Sequence, residues 1–432
     1  MNTSTARDAH QEREIRPVIH HGRSRSRLPW RGALTVVGAL TLGVLLGGSP
    51  TSSARGAAHG GPTGTTPVEA TIVVPGSSPA FEWPKVGQAA VAVRGIGIVG
   101  RSPRERRVPI ASLTKMMTAL VVLHDHPLAP GESGPEVRIT RADAEVYETE
   151  AVAGDSTVKV VAGETLSEFQ LLEALLIPSG DNIADKLATW DAGSIGRFVV
   201  KMNAMAGSLE LTRTHYADAS GVSPLSVSTA ADQARLAADL MGNTVVRGIV
   251  RKSHLAFPVA KKIWNANPAI GTDGIIGVKS GWTFKASGCL VTAAFRTVRQ
   301  QGVLVISAVL GQPDGLWEAT DVDEALLDAT TAALVAYEVA PAGATVATVP
   351  LLAGDGDAVL VAPNKPRFAI VWRGLELTEW IVGGADLSPS ALARDHAGSV
   401  VGELTVVAPW GVVAQFPLRL GVVPATASTA SG

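Results

Sequence analysis

Ser112 and Lys115 stand three residues apart in the run Pro109-Ile110-Ala111-Ser112-Leu113-Thr114-Lys115-Met116-Met117-Thr118-Ala119-Leu120. On a helix that spacing puts a hydroxyl and an amine on one face, one turn apart. A serine hydroxyl is a weak nucleophile until a base takes its proton. A lysine amine acts as that base where burial or a second cation favours its neutral form. The pair alone fits a second reading, a helix start capped by Ser112. Two more segments carry similar chemistry. Ser179-Gly180-Asp181-Asn182 lies 67 positions on (179 minus 112), and Lys279-Ser280-Gly281 a further 100 (279 minus 179). Each is weak by itself, since Ser179 also fits a helix cap and Lys279 a solvated strand end.

The elements that must hold these residues are readable from periodicity. The flank Met116, Met117, Leu120, Val121, Val122 predicts a helix from Ser112 to about Leu123, deep in a core. Ala89–Val93 and Ile96–Val99 read as strands, with a polar turn from Gly100 to Arg107. Short strands are expected at 137–140 and 157–161. Helical spacing runs from Leu166 to Ile177, ends at Pro178-Ser179-Gly180, and resumes near Asn182 to Ala188. Further helices are expected at 195–206 and 229–241, with a turn at Asp218–Gly221 between them. Ile275–Lys279 reads as a strand followed by a turn at 280–283, and 288–295 and 302–310 as core strands. Trp317 to Tyr337 reads as one long amphipathic helix. From Ala340 to Val423 short apolar runs are broken by Gly and Pro, which suggests a small all-β module.

The chain has 432 residues, 46% hydrophobic and 18% charged, enough for two or three globular domains. A net charge of -2 gives no basic field of the kind that binds nucleic acid. The single cysteine, Cys289, excludes an intramolecular disulfide and any cysteine-based metal cluster, and its apolar run reads as a buried, inert thiol. His124 and His126 have no evident third ligand nearby and read as a helix end rather than a metal site. No metal or organic cofactor is implied. Residues 1–31 carry seven arginines against three acids, and the 17 residues from Gly32 to Gly48 carry no charge. This pattern reads as a basic cytoplasmic segment, then a transmembrane anchor at 32–48, with the rest of the chain outside the membrane. Cleavage of 32–48 as a signal peptide, near Ser52-Ser53-Ala54, is the alternative. Residues 49–85 read as a flexible linker and 425–432 as a disordered tail.

The three motifs, taken in order, resemble the Ser-x-x-Lys, Ser-x-Asn and Lys-Thr/Ser-Gly set of the penicillin-recognising serine enzymes. The segment around Ser112 looks like the active-site segment of the D-alanyl-D-alanine carboxypeptidases of the S11 peptidase family, the low-molecular-mass penicillin-binding proteins. Leu175–Gly180, Met202-Asn203-Ala204, Thr214-His215-Tyr216, Ser228-Thr229-Ala230 and Gly274–Thr283 extend the likeness across about residues 86–338. The 398–406 stretch resembles, more loosely, the β domain that follows in that family. The resemblance implies an α+β fold. A DD-peptidase/β-lactamase-like catalytic domain, an antiparallel sheet with helices, would span 86–338, and a small β domain 339–424. It also implies a reaction. Ser112 attacks the penultimate carbonyl of a peptidoglycan stem peptide ending in D-Ala-D-Ala, Lys115 takes the serine proton, and Ser179 relays a proton to the leaving amine. The backbone N–H groups of Ser112 and Trp282 would hold the oxyanion. Lys279 and Ser280 would hold the terminal carboxylate, with Asn182 lining the substrate site. β-Lactam antibiotics would acylate the same serine.

Two positions depart from the family pattern. The third place of the middle motif holds Asp181, with Asn182 next, and Gln312 stands where the family tends to carry a basic residue. A charge at Asp181 beside two lysines would favour their protonated forms and slow the base. A membrane-tethered wall-binding homologue that has lost catalysis is therefore one rival reading. A class A-like β-lactamase is another, with Glu210 as its only candidate deacylating glutamate.

Overall fold

Burial on both faces explains how the strand-forming runs near both ends of the first domain come together. Gln88–Val93 is buried along its whole length. Ala90 and Ala92 face one core, with Met116, Phe198 and Leu236 from helices, while Ala89 and Val91 face another, with Ala319 and Leu326. A strand covered on both faces reads as an unbroken apolar run rather than an alternating one. The computed structural model describes residues 68–350, 357–382, 392, 395–409 and 411–421. The expected basic segment 1–31, the anchor at 32–48 and the tail at 425–432 lie outside them. Among the described residues no helix is long and apolar enough to cross a membrane.

The central sheet has five antiparallel strands in the order Ile275–Thr283, Ser287–Val298, Gln301–Gln312, Gln88–Val93, Gly97–Arg101. The helices before the first of these are α1 (Thr114–Asp125), α2 (Arg141–Ala153), α3 (Glu168–Leu176), α4 (Asp181–Ala192), α5 (Ile195–Ser208), α6 (Ala230–Leu240) and α7 (Thr244–Val250). The last, α8 (Leu316–Ala333), covers the other face of the sheet through Ala319, Leu326 and Leu327. This is the α+β arrangement of antiparallel sheet and helices expected from the sequence.

Several expected elements differ. α2 has no counterpart among them. A capping box between Thr140 and Asp143 starts it and Gly154 in the left-handed region ends it, but no residue of it is buried, so it shows no apolar stripe. Residues 157–161 form no strand. The helix expected to reach Tyr337 stops at Ala333, where Leu334–Ala340 turns into a strand paired with Arg367–Trp372. Val335, Tyr337 and Val339 pack into the core of the second module, so tertiary burial overrides the helical continuation.

That module is all-β, as expected. Its six-stranded sheet runs Val68–Val73, Glu376–Val382, Val400–Ala408, Gly411–Leu420, Asp357–Val361, Thr345–Pro350. The first of these strands corrects the expected linker at 49–85. Ile72 stands opposite Leu377, and Val74 is buried in the module's core, its N–H donating to the Leu375 carbonyl at 2.8 Å. A short β-branched run inside a Gly/Ser/Pro-rich stretch finds a sheet edge far away in sequence.

Candidate active site

Ser112 sits not in α1 but in a 3-10 turn, Ala111–Leu113, that leads into it. The turn is held against strand Ile275–Thr283 so closely that a Cβ on Gly281 would lie 2.8 Å from the Ser112 amide nitrogen. Ala111 adopts φ 47, a left-handed conformation that costs a residue with a Cβ of order 1–3 kcal/mol. The same holds for Ser179, at φ 71. Strain at these two positions, each within one residue of a motif hydroxyl or bearing it, marks them as held by their surroundings.

Lys115 follows one turn later and is fully buried. Its Nζ lies 2.9 Å from Ser112 Oγ, 2.6 Å from Asp181 Oδ1 and 2.8 Å from the Ser220 carbonyl oxygen. The three bonds use all three directions of an ammonium group. The Ser220 carbonyl is presented by a turn that Asp218 organises, accepting from the Gly221 and Ser223 N–H groups at 2.9 and 3.0 Å and from the Ser226 hydroxyl. Gly221 has φ +90, and a Cβ there would lie 1.8 Å from the Ala111 carbonyl oxygen, so this position requires glycine.

Asp181 and Asn182 open α4 and divide the work differently from the sequence expectation. The Asn182 amide is turned to the backbone of Val158, accepting from its N–H at 3.0 Å and donating to its carbonyl at 2.9 Å. Asp181 is the residue that reaches Lys115, and its second oxygen accepts from the Ser156 N–H at 3.1 Å. The structure thus does not set Asn182 to face a substrate. Two acidic side chains near Asp181 are shifted, chiefly by burial. Burial, with Asp185, Asp181 and Asp155 nearby, pushes Glu150 up to about 7, and burial with Asp218 and Asp181 pushes Asp185 up to about 6.

Lys279 is 1% exposed, and its Nζ donates to the carbonyl of Ser280 at 2.8 Å. Burial and the Lys115 charge hold its amine well below the ordinary lysine value, against the pull of Asp181. The Ser280 hydroxyl donates to the Ala266 carbonyl at 2.8 Å. Ser179 Oγ is buried without a hydrogen-bond partner. Trp282 is half exposed and meets Phe284, 92% exposed, edge-on at 4.9 Å between ring centroids. Sequence reasoning placed the turn at Asp218–Gly221 but missed that its Ser220 carbonyl meets Lys115, and it missed the Phe284 platform and the glycine contact at 281. A signal for the Ser220 and Gly281 contacts was present in the Asp-x-Ser-Gly and Lys-Ser-Gly strings, where only a glycine admits the close approach.

The residues set aside as non-catalytic are found elsewhere. Gln312 is buried, its amide donating to the Val86 carbonyl at 3.1 Å. Glu210 is exposed just past the end of α5. His126 Nε2 stands 3.3 Å from Asp191 and its ring 4.2 Å from that of Trp190. Burial pushes the Cys289 thiol up to about 12, which leaves it unreactive.

The family model for D-alanyl-D-alanine carboxypeptidases, Peptidase S11, matches residues 97–314, half of the chain. The chain belongs to the S11 D-alanyl-D-alanine carboxypeptidase family. It is 32% identical over 224 residues to the D-alanyl-D-alanine carboxypeptidase of Streptomyces sp. strain K15, covering 48% of this chain and 73% of that protein. It is 24% identical over 327 residues to D-alanyl-D-alanine carboxypeptidase DacF of Bacillus subtilis, covering 74% and 80%. The crystal structure of penicillin binding protein 5 from Haemophilus influenzae superposes with a TM-score of 0.57 at 20% identity, over 81% of this chain and 99% of that one, which shows the shared fold. As an S11 serine peptidase the chain is placed among enzymes.

Proposed function

We propose that this S11 family member is a serine-type D-Ala-D-Ala carboxypeptidase that trims the terminal D-Ala from peptidoglycan stem peptides. The observation that carries the reading is the 2.9 Å approach of a buried lysine amine to Ser112 Oγ. Ser112 Oγ attacks the penultimate carbonyl as its proton passes to Lys115 Nζ. The tetrahedral oxyanion accepts from the Ser112 and Trp282 N–H groups. The C–N bond then breaks, and the leaving D-Ala amine takes a proton through the Ser179 hydroxyl. Ser179's lack of a partner in the free protein fits a group kept for a substrate atom. Water then attacks the acyl ester of Ser112 by the reverse proton path and releases the shortened peptide. Lys279 and Ser280 receive the terminal carboxylate. β-Lactams, which offer Ser112 an amide carbonyl in the same orientation, acylate it and stay bound.

Asp181 favours a second reading. Its carboxylate, 2.6 Å from Lys115 Nζ, stabilises the ammonium form that cannot act as a base. A homologue that binds wall peptides without cleaving them fits this pair. Release of D-Ala from a D-Ala-D-Ala pentapeptide separates the two. The carboxypeptidase reading expects release that stops in Ser112→Ala, together with stable Ser112-dependent labelling by a fluorescent penicillin. No release and no labelling would leave the binding role. Rapid turnover of the penicillin would point to a β-lactamase.

For location we propose that residues 1–31 stay in the cytoplasm, 32–48 span the membrane, and the catalytic domain works outside it, on the strength of the arginine-rich flank and the uncharged run. A mature N-terminus found near Arg55 would refute the anchor.

A further inference from the structure

Apart from the catalytic side chains, the segment Arg104-Glu105-Arg106-Arg107 and the turn after strand Ile275–Thr283 border an open cavity of about 410 Å³. Arg104, Arg106, Arg107 and Lys285 line it, and no aspartate or glutamate does. Neither Ser112, Lys115, Ser179 nor Lys279 contributes to its wall. Glu105, the one acid in the segment, is turned away. Its carboxylate accepts from the Ala231 N–H at 2.8 Å and stands 3.7 Å from Arg101. Among the described residues no carboxylate pairs with any of the four cations of the cavity.

The wall is held in place before any ligand arrives. The Gln88 amide donates to the Arg106 carbonyl at 2.7 Å, and the Arg213 guanidinium to the Glu105 carbonyl at 2.6 Å. The Arg107 guanidinium donates to the Thr212 carbonyl at 3.0 Å. On the far side Gln312 holds the Val86 carbonyl, and Gly87 packs so closely that a Cβ would lie 2.2 Å from the Leu310 carbonyl oxygen. Four like charges on one concave wall make a positive field that favours an anion there.

We propose that this cavity is a binding site for a phosphate-bearing ligand of about sugar-phosphate size, separate from the catalytic cleft. The Arg104 and Arg106 guanidiniums offer planar forks that match phosphate oxygens in pairs, while Arg107, held by the Thr212 carbonyl, and Lys285 add positive charge. Four cations are more than one carboxylate neutralises, and the volume lies within the range of small-molecule sites. A free sugar phosphate and a phosphodiester-linked wall polymer share this chemistry.

Calorimetric titration of the full-length chain with glucose 1-phosphate, poly(glycerol phosphate) and glucuronate, each at 50 and 200 mM salt, tests the proposal. Glucose 1-phosphate is expected to bind, more weakly at the higher salt, with glucuronate at least about tenfold weaker. Affinity should fall at least about tenfold in Arg106→Gln/Lys285→Gln, since charged hydrogen bonds are removed. Polymer binding tighter per phosphate than the sugar assigns the wall polymer as source, and equal or weaker binding assigns the free sugar phosphate. The variant should acylate with fluorescent penicillin at the parent rate, which certifies its fold. If it does not fold, Lys285→Gln alone, at an exposed turn, should weaken binding about threefold or more. Unchanged affinity in a folded variant, glucuronate binding as well as glucose 1-phosphate, or no phosphate binding at all would overturn the proposal.

Discussion

The effect of Asp323→Asn on stability should depend on pH, growing more favourable relative to the parent as pH rises from 5 to 8. Asp323 is wholly buried on α8, beneath strands Ser287–Val298 and Gln301–Gln312, where Thr292 Oγ1 donates to its Oδ2 at 2.7 Å. Burial pushes its carboxyl up from 3.8 to about 7, and the Thr292 and Ser307 hydroxyls only partly offset this. The value is raised in the folded state, so the protonated acid stabilises the fold. That contribution is complete below about pH 4 and is lost as pH rises through about 7. A gap of about 3 pH units corresponds to ~4 kcal/mol in all, of which ~2.5 kcal/mol falls between pH 5 and 8. Asparagine keeps the shape, accepts from Thr292 and never ionises. Urea unfolding of parent and variant at pH 5 and pH 8 measures the difference. The variant should gain ~2.5 kcal/mol on the parent over that interval. Equal differences at the two pH values would refute the reasoning. The consequence reaches the site, because Thr292 stands opposite Val278, next to Lys279.

Other expectations concern the site directly. Asp181→Asn removes the carboxylate 2.6 Å from Lys115 Nζ, whose charge opposes the amine's acting as a base, so acylation by a fluorescent penicillin at pH 7 should rise by about tenfold; an unchanged or lower rate would refute that role. Ser179→Ala loses no hydrogen bond in the free protein, so its thermal midpoint should hold while acylation slows by about a hundredfold or more. A matching loss of stability would show a structural role instead. Gly221→Ala places a methyl 1.8 Å from the Ala111 carbonyl oxygen at φ +90. It should cost about 3 kcal/mol or more in denaturant unfolding and abolish labelling, and a folded, labelled variant would contradict the packing described.

What the sequence made legible was local. Ser112 and Lys115 are one turn apart, and that relation survives whether the turn is α or 3-10. The strand before Lys279 and the helices α3 to α6 carry apolar periodicity that one face of a core imposes. What stayed hidden depends on distant partners. α2 buries nothing, so its only local marks are its caps. Asn182 and Asp181 are adjacent, and only the fold decides that the amide turns to Val158 and the acid to Lys115. Leu334 to Ala340 is strand rather than helix because a second core claims Tyr337 and Val339.

The edge strand Val68–Val73 changes how the two modules are joined. Its partner, Glu376–Val382, follows about 300 positions later (376 minus 73), and the catalytic domain lies between them. In topological terms the catalytic domain is an insertion into the β module. A ribosome adding 5–20 residues per second leaves the first strand waiting on the order of tens of seconds for its neighbour. Its peptide groups stay open to wrong pairing during that time. Once the sheet closes, a pull on the chain ahead of Val68 is borne first by main-chain bonds to the β module.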